Sequence, residues 1–154
     1  MRTTIQKLAE QYQQDLVEIR RHLHAHPELS FHEEKTAAFI SAKLQSFGIE
    51  HQTNIGGHGI VGYIKGKYPE KKTIALRADI DALPIEEKNT CSYTSQNIGV
   101  MHACGHDVHT TCLLGAAKIL QELKDNLEGT IKLIFQPAEE KLPGGASILI
   151  KEGV

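Results

Sequence analysis

Three polar clusters follow apolar segments of the chain, and their side chains are of types that bind metal ions. These clusters contain Asp79 and Asp81, Cys104 and His106, and Glu139 and Glu140. Ligand sites in open α/β sheets gather where strands end, and each cluster stands at such a position or in the loop that follows it. Thiolate, imidazole and carboxylate together suit Zn²⁺ or another first-row ion. The chemistry indicated is metal-assisted hydrolysis, in which the ion polarises a carbonyl and lowers the pKa of bound water to about 7.

The first two clusters are weak signals when each is taken alone. Asp79 and Asp81 are separated by one residue in extended chain, so both can face one side. One carboxylate can then orient a metal-bound histidine or bridge cations, but a charged turn has the same pattern. Cys104 and His106 have the same spacing. The alternative interpretation of this pair is structural: Cys104 would be a buried cysteine, and the nearby Asp107 would cap a helix.

The pair Glu139–Glu140 directly follows an apolar strand-like segment. Adjacent carboxylates repel each other, and a cation would neutralise one of them. The other carboxylate can then act as a general base on metal-bound water. Two solvated acids on a loop are the alternative, and the position after a strand favours a functional site.

Composition describes an ordinary globular chain of one domain. Of its 154 residues, 40% are hydrophobic and 23% charged, and the formal net charge of −2 predicts neither a nucleic-acid partner nor a membrane partner. Residues 1–15 lack the apolar segment of a signal peptide. Three cysteines, an odd number, argue against a disulfide framework and predict a cytoplasmic protein.

The periodicity of apolar residues predicts an α/β fold. Strands are predicted at Ile60–Ile64, Thr73–Ala78 and Thr130–Phe135, the second of them interior. Helices are predicted over residues ~4–24, from a capping-box pattern at Ser30–Glu33 to Gly48, over residues ~108–127, and from Ala146 onward. The long stretch from Asp79 to Asp107 has no periodicity, and irregular segments of this length are usually functional or disordered.

Two other motifs do not fit the chemistry that they suggest. Gly57–Gly62 matches G-x-G-x-x-G, but it precedes a strand where a dinucleotide fingerprint would follow one. Cys104 as a nucleophile with His106 as its base is a weaker alternative, because side chains with this spacing point side by side. A chelator would leave such a thiol enzyme active and would inactivate a metalloenzyme.

Four sequence blocks together make the chain recognisable. They are Arg20–Leu29, Arg77–Pro84, Met101–Asp107, and Phe135–Glu140 followed by Pro143–Gly145. In order and spacing, over essentially the whole chain, these blocks resemble the aminoacylase and hippurate hydrolase branch of the metal-dependent amidohydrolases and peptidases. One departure is Lys141–Leu142, where the family usually has a single glycine.

The resemblance implies a role for each matching residue. Cys104, His106 and Glu140 would be metal ligands, Glu139 the general base, and Asp79 or Asp81 the catalytic carboxylate that supports a ligand. Two divalent ions (Zn, Mn, Co or Ni) would be bound. The reaction implied is hydrolysis of an amide in an N-acyl amino acid or a similar small peptide-like conjugate. His102 and His109 would lie around the ligands, and His22–His26 would be structural.

The resemblance also implies an architecture, a sandwich with a mostly parallel sheet flanked by helices. Family members are more than twice as long as this chain. Residues 1–154 are therefore expected to be the N-terminal part of a zinc-peptidase-like catalytic domain, incomplete and inactive alone. The remainder of that domain and a lid domain would be absent, and the full-length protein would form a homodimer or homotetramer. The alternative is a non-catalytic metal-binding or interaction module.

Overall fold

Four helices and four strands make up the computed structural model, which describes residues 1–154. The helices are α1 (Arg2–Ala25), α2 (Glu34–Ser46), α3 (His106–Glu122) and α4 (Gly145–Lys151). The strands are β1 (Glu50–Ile55), β2 (Gly59–Lys65), β3 (Thr73–Asp79) and β4 (Thr130–Gln136). No helix combines the length and the apolar character that crossing a bilayer requires.

The four strands form one sheet in the order β1-β2-β4-β3. This confirms an α/β fold with a helix-flanked sheet, but the expectation of a mostly parallel sheet is wrong for these residues. Only β3 and β4 are parallel, whereas β2 runs antiparallel to both β1 and β4. A short turn can join only antiparallel strands, and β1 and β2 are joined in this way. The parallel pair is connected through α3, and β3 lies at an edge of the sheet and not in its interior.

Strand β1 had no signal in the sequence. Its residues, Glu-His-Gln-Thr-Asn-Ile, are mostly polar and mostly exposed, so they lack the alternation that marks a half-buried strand. Antiparallel pairing with β2 holds β1 in an extended conformation, although its sequence shows no strand pattern. Gly56 and Gly57 both take positive φ in the connecting turn, a conformation that glycine adopts without steric cost.

The core lies between the sheet and the helices. Helices α2 and α3 pack on the strands, and α1 packs on α3. The largest fully buried apolar side chains are Ile40, Leu44, Ile60, Ile64, Ile80, Leu114, Leu133 and Phe135. Full burial of one such side chain contributes roughly 1.5–3 kcal/mol, so this core fixes the strand ends from which the polar clusters project.

The capping box predicted for α2 is wrong. Neither Ser30 nor Glu33 bonds the free amides of the first helical turn. The carboxylate of Glu28 does so, accepting hydrogen bonds from the backbone N–H groups of Lys35 (3.2 Å) and Thr36 (2.7 Å). Because Glu28 caps the helix, the side chains of Ser30 and Glu33 are free to turn inward, where both are buried.

Candidate metal centre

The parallel strands β3 and β4 bring two of the polar clusters together. Asp79 and Gln136 are register partners at the ends of these strands, and the N–H of Ile80 donates to the Gln136 carbonyl at 3.0 Å. The two loops therefore leave the sheet at the same edge. Beyond it, the N–H of Glu140 donates to Asp81 Oδ2 at 2.9 Å.

The start of α3 carries the third cluster to the same edge. Gly105 precedes the helix with φ of +86°, and this left-handed turn redirects the chain between Cys104 and His106. His106 is the first residue of α3 and is 3% exposed. Its Nδ1 lies 3.0 Å from the Asp81 carbonyl oxygen and 3.2 Å from Asp81 Oδ1. Since both neighbours are acceptors, Nδ1 carries the hydrogen and Nε2 faces the other polar groups.

Cys104, His106 and Glu140 form a compact donor set. One ligand atom from each lies within 4.8 Å of the others. Glu140 Oε1 is buried without a hydrogen-bond partner, 3.9 Å from His106 Nε2. A buried carboxylate oxygen without a partner is costly, and a cation between it and the neighbouring donors would remove that cost. The combination of sulfur, nitrogen and oxygen fits Zn²⁺ or a similar divalent ion.

The neighbouring carboxylate, Glu139, is more accessible. Its side chain is 41% exposed, against 20% for Glu140, and its Oε2 lies 3.9 Å from His106 Nε2. The two adjacent acids thus occupy different environments. One carboxylate belongs to the donor set, and the other lies beside it within reach of solvent.

Asp79 and Asp81 also have different surroundings. Asp81 is fully buried and contacts the ligand candidate His106, whereas the carboxylate of Asp79 is held by Arg77 at 3.0 and 3.1 Å. Asp79 forms a second group with His106 and His109, whose ligand atoms also lie within 4.8 Å of one another. Because Arg77 already neutralises Asp79, Asp81 is the better oriented of the two acids to support a ligand.

Asp81 and His106 shift each other's pKa in opposite directions. Burial alone would raise the pKa of the Asp81 carboxyl, but hydrogen bonds from His106, the Glu140 N–H and Ser30 outweigh it and lower the pKa to about 2. The same bond to Asp81 raises the pKa of His106 to about 9, against the opposing effect of burial. The pair therefore behaves as an ion pair when no metal ion competes for the imidazole.

The thiol of Cys104 is not activated as a nucleophile. The negative carboxylate of Glu140 beside the thiol, together with partial desolvation, raises the pKa of Cys104 above the ordinary value. Reactive cysteines show the opposite shift, because the thiolate is the attacking species. His106 is also committed to Asp81 through Nδ1. The geometry disfavours the cysteine-hydrolase alternative, while a cation beside Cys104 would displace its proton.

A buried network, missed in the sequence, holds the residue after His106. His24 Nδ1 lies 2.7 Å from Asp107 Oδ2, and His24 Nε2 lies 3.0 Å from Glu87 Oε1. Arg20 Nε adds a second contact to Asp107 at 3.0 Å. Helix α1 thereby anchors both the start of α3 and the irregular loop. The i, i+4 spacing of Arg20 and His24 was visible in the sequence, but Glu87 had no signal at all.

His102 was expected beside the ligands and is buried near them. It lies two residues before Cys104 and is 5% exposed, and burial lowers its pKa to about 4. Neither ring nitrogen has a hydrogen-bond partner. His102 belongs to neither of the two groups whose ligand atoms lie within 4.8 Å of one another.

The fold and the donor set define an α/β protein with a candidate divalent-metal centre. A family model described as peptidase family M20/M25/M40 matches residues 75–154, which include every residue of that centre. The chain belongs to this family.

Similar proteins are consistent with this assignment. The chain is 49% identical over 150 residues to an N-acyl-L-amino acid amidohydrolase of Geobacillus stearothermophilus, covering 97% of this chain and 40% of the relative. It is 51% identical over 141 residues to an N-acetyl-L-cysteine deacetylase of Bacillus subtilis, covering 92% of this chain and 33% of the relative.

A solved structure is also similar. The Bacillus subtilis protein YXEP, described as a dinuclear metal-binding peptidase of the M20 family, superposes with a TM-score of 0.88 at 41% identity, covering 94% of this chain and 40% of that one. The chain thus spans at most two fifths of the length of these relatives.

Proposed function

We propose that residues 1–154 form the N-terminal part of the catalytic domain of a metal-dependent amidohydrolase that acts on N-acyl amino acids or similar small conjugates. The observation that carries this proposal is the donor set of Cys104, His106 and Glu140 with its unpartnered carboxylate oxygen. The names of the relatives support the substrate class.

In this proposal, Cys104, His106 and Glu140 hold a divalent ion, which can be Zn, Mn, Co or Ni. A second ion is proposed because a similar protein is described as dinuclear. The bound ions would act as Lewis acids toward the amide carbonyl and would make water a better nucleophile at neutral pH.

The chain's own residues would orient the donors and move the proton. Asp81 accepts the hydrogen of His106 Nδ1, which keeps Nε2 directed at the other donors. Glu139, the more exposed acid of the pair, would accept a proton from the attacking water. It would return that proton to the amide nitrogen as the carbon–nitrogen bond breaks, giving a carboxylate and an amine.

The same proposal limits what residues 1–154 do alone. The chain covers 40% and 33% of the two amidohydrolase relatives, so we expect this segment to bind metal without turning over substrate. A lid domain and dimeric or tetrameric assembly remain predictions for the whole protein. The competing proposal is a non-catalytic metal-binding or interaction module.

Replacing Glu139 tests the proposal in the whole protein to which these residues belong. We expect Glu139→Gln to lower kcat at least 100-fold on N-acetyl amino acids, because general-base catalysis contributes roughly 10²–10⁴-fold. The metal content should not change, since Glu139 lies outside the proposed donor set. Amine release would be measured with Mn²⁺, Co²⁺, Ni²⁺ or Zn²⁺ present.

The matched control is Glu128→Gln, an exposed acid that is paired with Lys71 far from the centre. It should retain the original kcat. Wild-type protein that released no amine with any of the four ions would contradict the proposed function. Unchanged turnover in Glu139→Gln would contradict only the role given to that residue.

A further inference from the structure

We propose that Ser30 and Glu33 are positioning residues of the metal centre. Ser30 orients the carboxylate of Asp81, and Glu33 fixes the backbone turn that carries Glu139 and Glu140. This inference rests on the proposed function, because it assigns the two residues to that same site.

Glu33 holds the turn through a buried hydrogen bond. Its side chain is fully buried, and Oε1 accepts the N–H of Ala138 at 2.7 Å from a position 105 residues earlier in the chain. Ala138 is itself 0% exposed and has φ of +50°, a left-handed conformation in which the Cβ atom crowds the following carbonyl oxygen. The Ala138 carbonyl accepts the N–H of Gly145 at 2.8 Å.

The N–H and the C=O of Ala138 are therefore both bonded by residues outside the turn that carries Glu139 and Glu140. Glu139 and Glu140 are the next two residues, so the direction in which their carboxylates leave the chain depends on this strained position. If Glu33 released its amide, Ala138 would relax toward negative φ and redirect both acids.

Ser30 acts on the same turn through Asp81. Its Oγ donates to Asp81 Oδ2 at 2.7 Å, and the same oxygen accepts the N–H of Glu140 at 2.9 Å. The other oxygen of Asp81 faces His106 Nδ1 at 3.2 Å. Ser30 thus fixes the rotation of the Asp81 carboxylate. That carboxylate bonds the ring of His106 and the backbone N–H of Glu140, which are both proposed ligands.

Stability alone does not explain a carboxylate at position 33. Glu28 already caps α2, so Glu33 is not required there. Its second oxygen, Oε2, is buried without any partner. An apolar side chain of the same volume would avoid this desolvation cost, and a costly buried polar group is typical of a residue retained for a site.

Two substitutions of Glu33 separate positioning from structure. Glu33→Gln keeps an oxygen that can accept the Ala138 N–H, whereas Glu33→Met has nearly the same shape without a strong acceptor. Thr36→Val is the matched control, because it also removes a buried polar group near the start of α2. The Thr36 hydroxyl donates to the Glu28 carboxylate at 2.8 Å and bonds no proposed ligand. Ser30→Ala tests the other half of the proposal and remains informative if Glu33→Met does not fold.

Two measurements are compared across these variants of the purified protein: amide hydrogen exchange by NMR, and Co²⁺ titration followed by visible absorption. We expect Glu33→Met to speed exchange at the Ala138 amide at least tenfold. It should also weaken Co²⁺ binding by about 10–100-fold, as expected for residues that orient ligands, and change the spectrum of the bound ion. Ser30→Ala should weaken Co²⁺ binding about tenfold. Glu33→Gln should stay close to wild type, and Thr36→Val should lose stability without either effect.

Wild-type exchange at Ala138 and wild-type Co²⁺ affinity in Glu33→Met would overturn the role of Glu33. Unchanged Co²⁺ affinity in Ser30→Ala would overturn the role of Ser30. Absence of Co²⁺ binding by the wild-type protein would contradict the proposed function instead, while exchange at the Ala138 amide would still decide whether Glu33 positions the turn.

Discussion

Asp81 is the single residue on which the geometry of the centre depends most. Its carboxylate bonds a ring nitrogen of His106, the hydroxyl of Ser30 and the backbone of Glu140, which belong to three different parts of the chain. Removing this acid would leave three buried polar groups with fewer partners. Such groups are expensive to bury unpaired, so Asp81 contributes to both stability and ligand orientation.

Acid unfolding of the metal-free protein tests this view of Asp81. Its pKa is lowered from 3.8 to about 2, so its contribution to stability is present above pH 3.8 and is lost as the pH falls through about 2. That contribution corresponds to about 2 kcal/mol. We expect the free energy of unfolding, measured in urea, to fall less steeply over this range in Asp81→Asn than in wild type.

Asp125→Asn is the control for that comparison, because Asp125 is exposed and lies in the short 3-10 helix Lys124–Asn126. It should retain the wild-type slope. Equal slopes for wild type and Asp81→Asn would mean that the carboxylate does not gain its stabilisation from the folded contacts described above.

At the residue scale, the sequence predicted the chemical types of the ligand candidates but not the residues that support them. Cys104, His106 and Glu140 have side chains of types that bind metal ions, and the four matching sequence blocks together singled them out. Ser30 and Glu33 instead suggested a helix cap, since their spacing fits one. Only the tertiary structure shows that Glu28 fills that role and frees both side chains.

At the scale of elements, the close approach of α4 to the loop after β4 is the tightest constraint near the centre. A Cβ atom at Gly145 would lie 1.8 Å from the carbonyl oxygen of Pro137, which is backbone and cannot move aside alone. Glycine at the start of α4 therefore allows the helix to pack directly against the segment that leads to Glu139. A larger residue must displace that segment.

We expect Gly145→Ala to lower the free energy of unfolding by about 3 kcal/mol and to weaken metal binding, because the displaced loop carries two of the site's acids. Thermal unfolding and a metal titration would measure the two effects. Gly62→Ala is the control, since its added Cβ would meet neighbours at an ordinary 3.5 Å, and its stability should change by less than about 1 kcal/mol. A Gly145→Ala protein with wild-type stability would contradict the close packing described here.

Most elements could be predicted from periodicity, and the exceptions have identifiable causes. Helix α3 and strands β2, β3 and β4 have apolar stripes or runs that periodicity detects, although only the last two residues of β3 are buried. Strand β1 is polar, and its extended conformation depends on hydrogen bonds to β2. Such pairing leaves no pattern in the sequence of β1 itself. The position of β3 at an edge could not be predicted either, because strand order depends on contacts distant in sequence.

On the scale of the whole molecule, the arrangement explains how three distant segments form one site. The parallel pair β3 and β4 opens two loops at one edge, and the crossover through α3 returns the chain to that edge. The predicted clustering after strands was therefore correct even though the sheet is mostly antiparallel. The site depends on that single parallel pair.

Cys104, His106 and Glu140 are proposed to bind a divalent metal ion, and Co²⁺ titration of the purified protein tests this binding most directly. A thiolate bound to Co²⁺ gives a charge-transfer band in the near ultraviolet, so the three free cysteines can be compared one at a time. We predict that the band appears in wild type, Cys91→Ser and Cys112→Ser and is absent in Cys104→Ser. A band that persisted in Cys104→Ser, or no band in the wild-type protein, would contradict the claim.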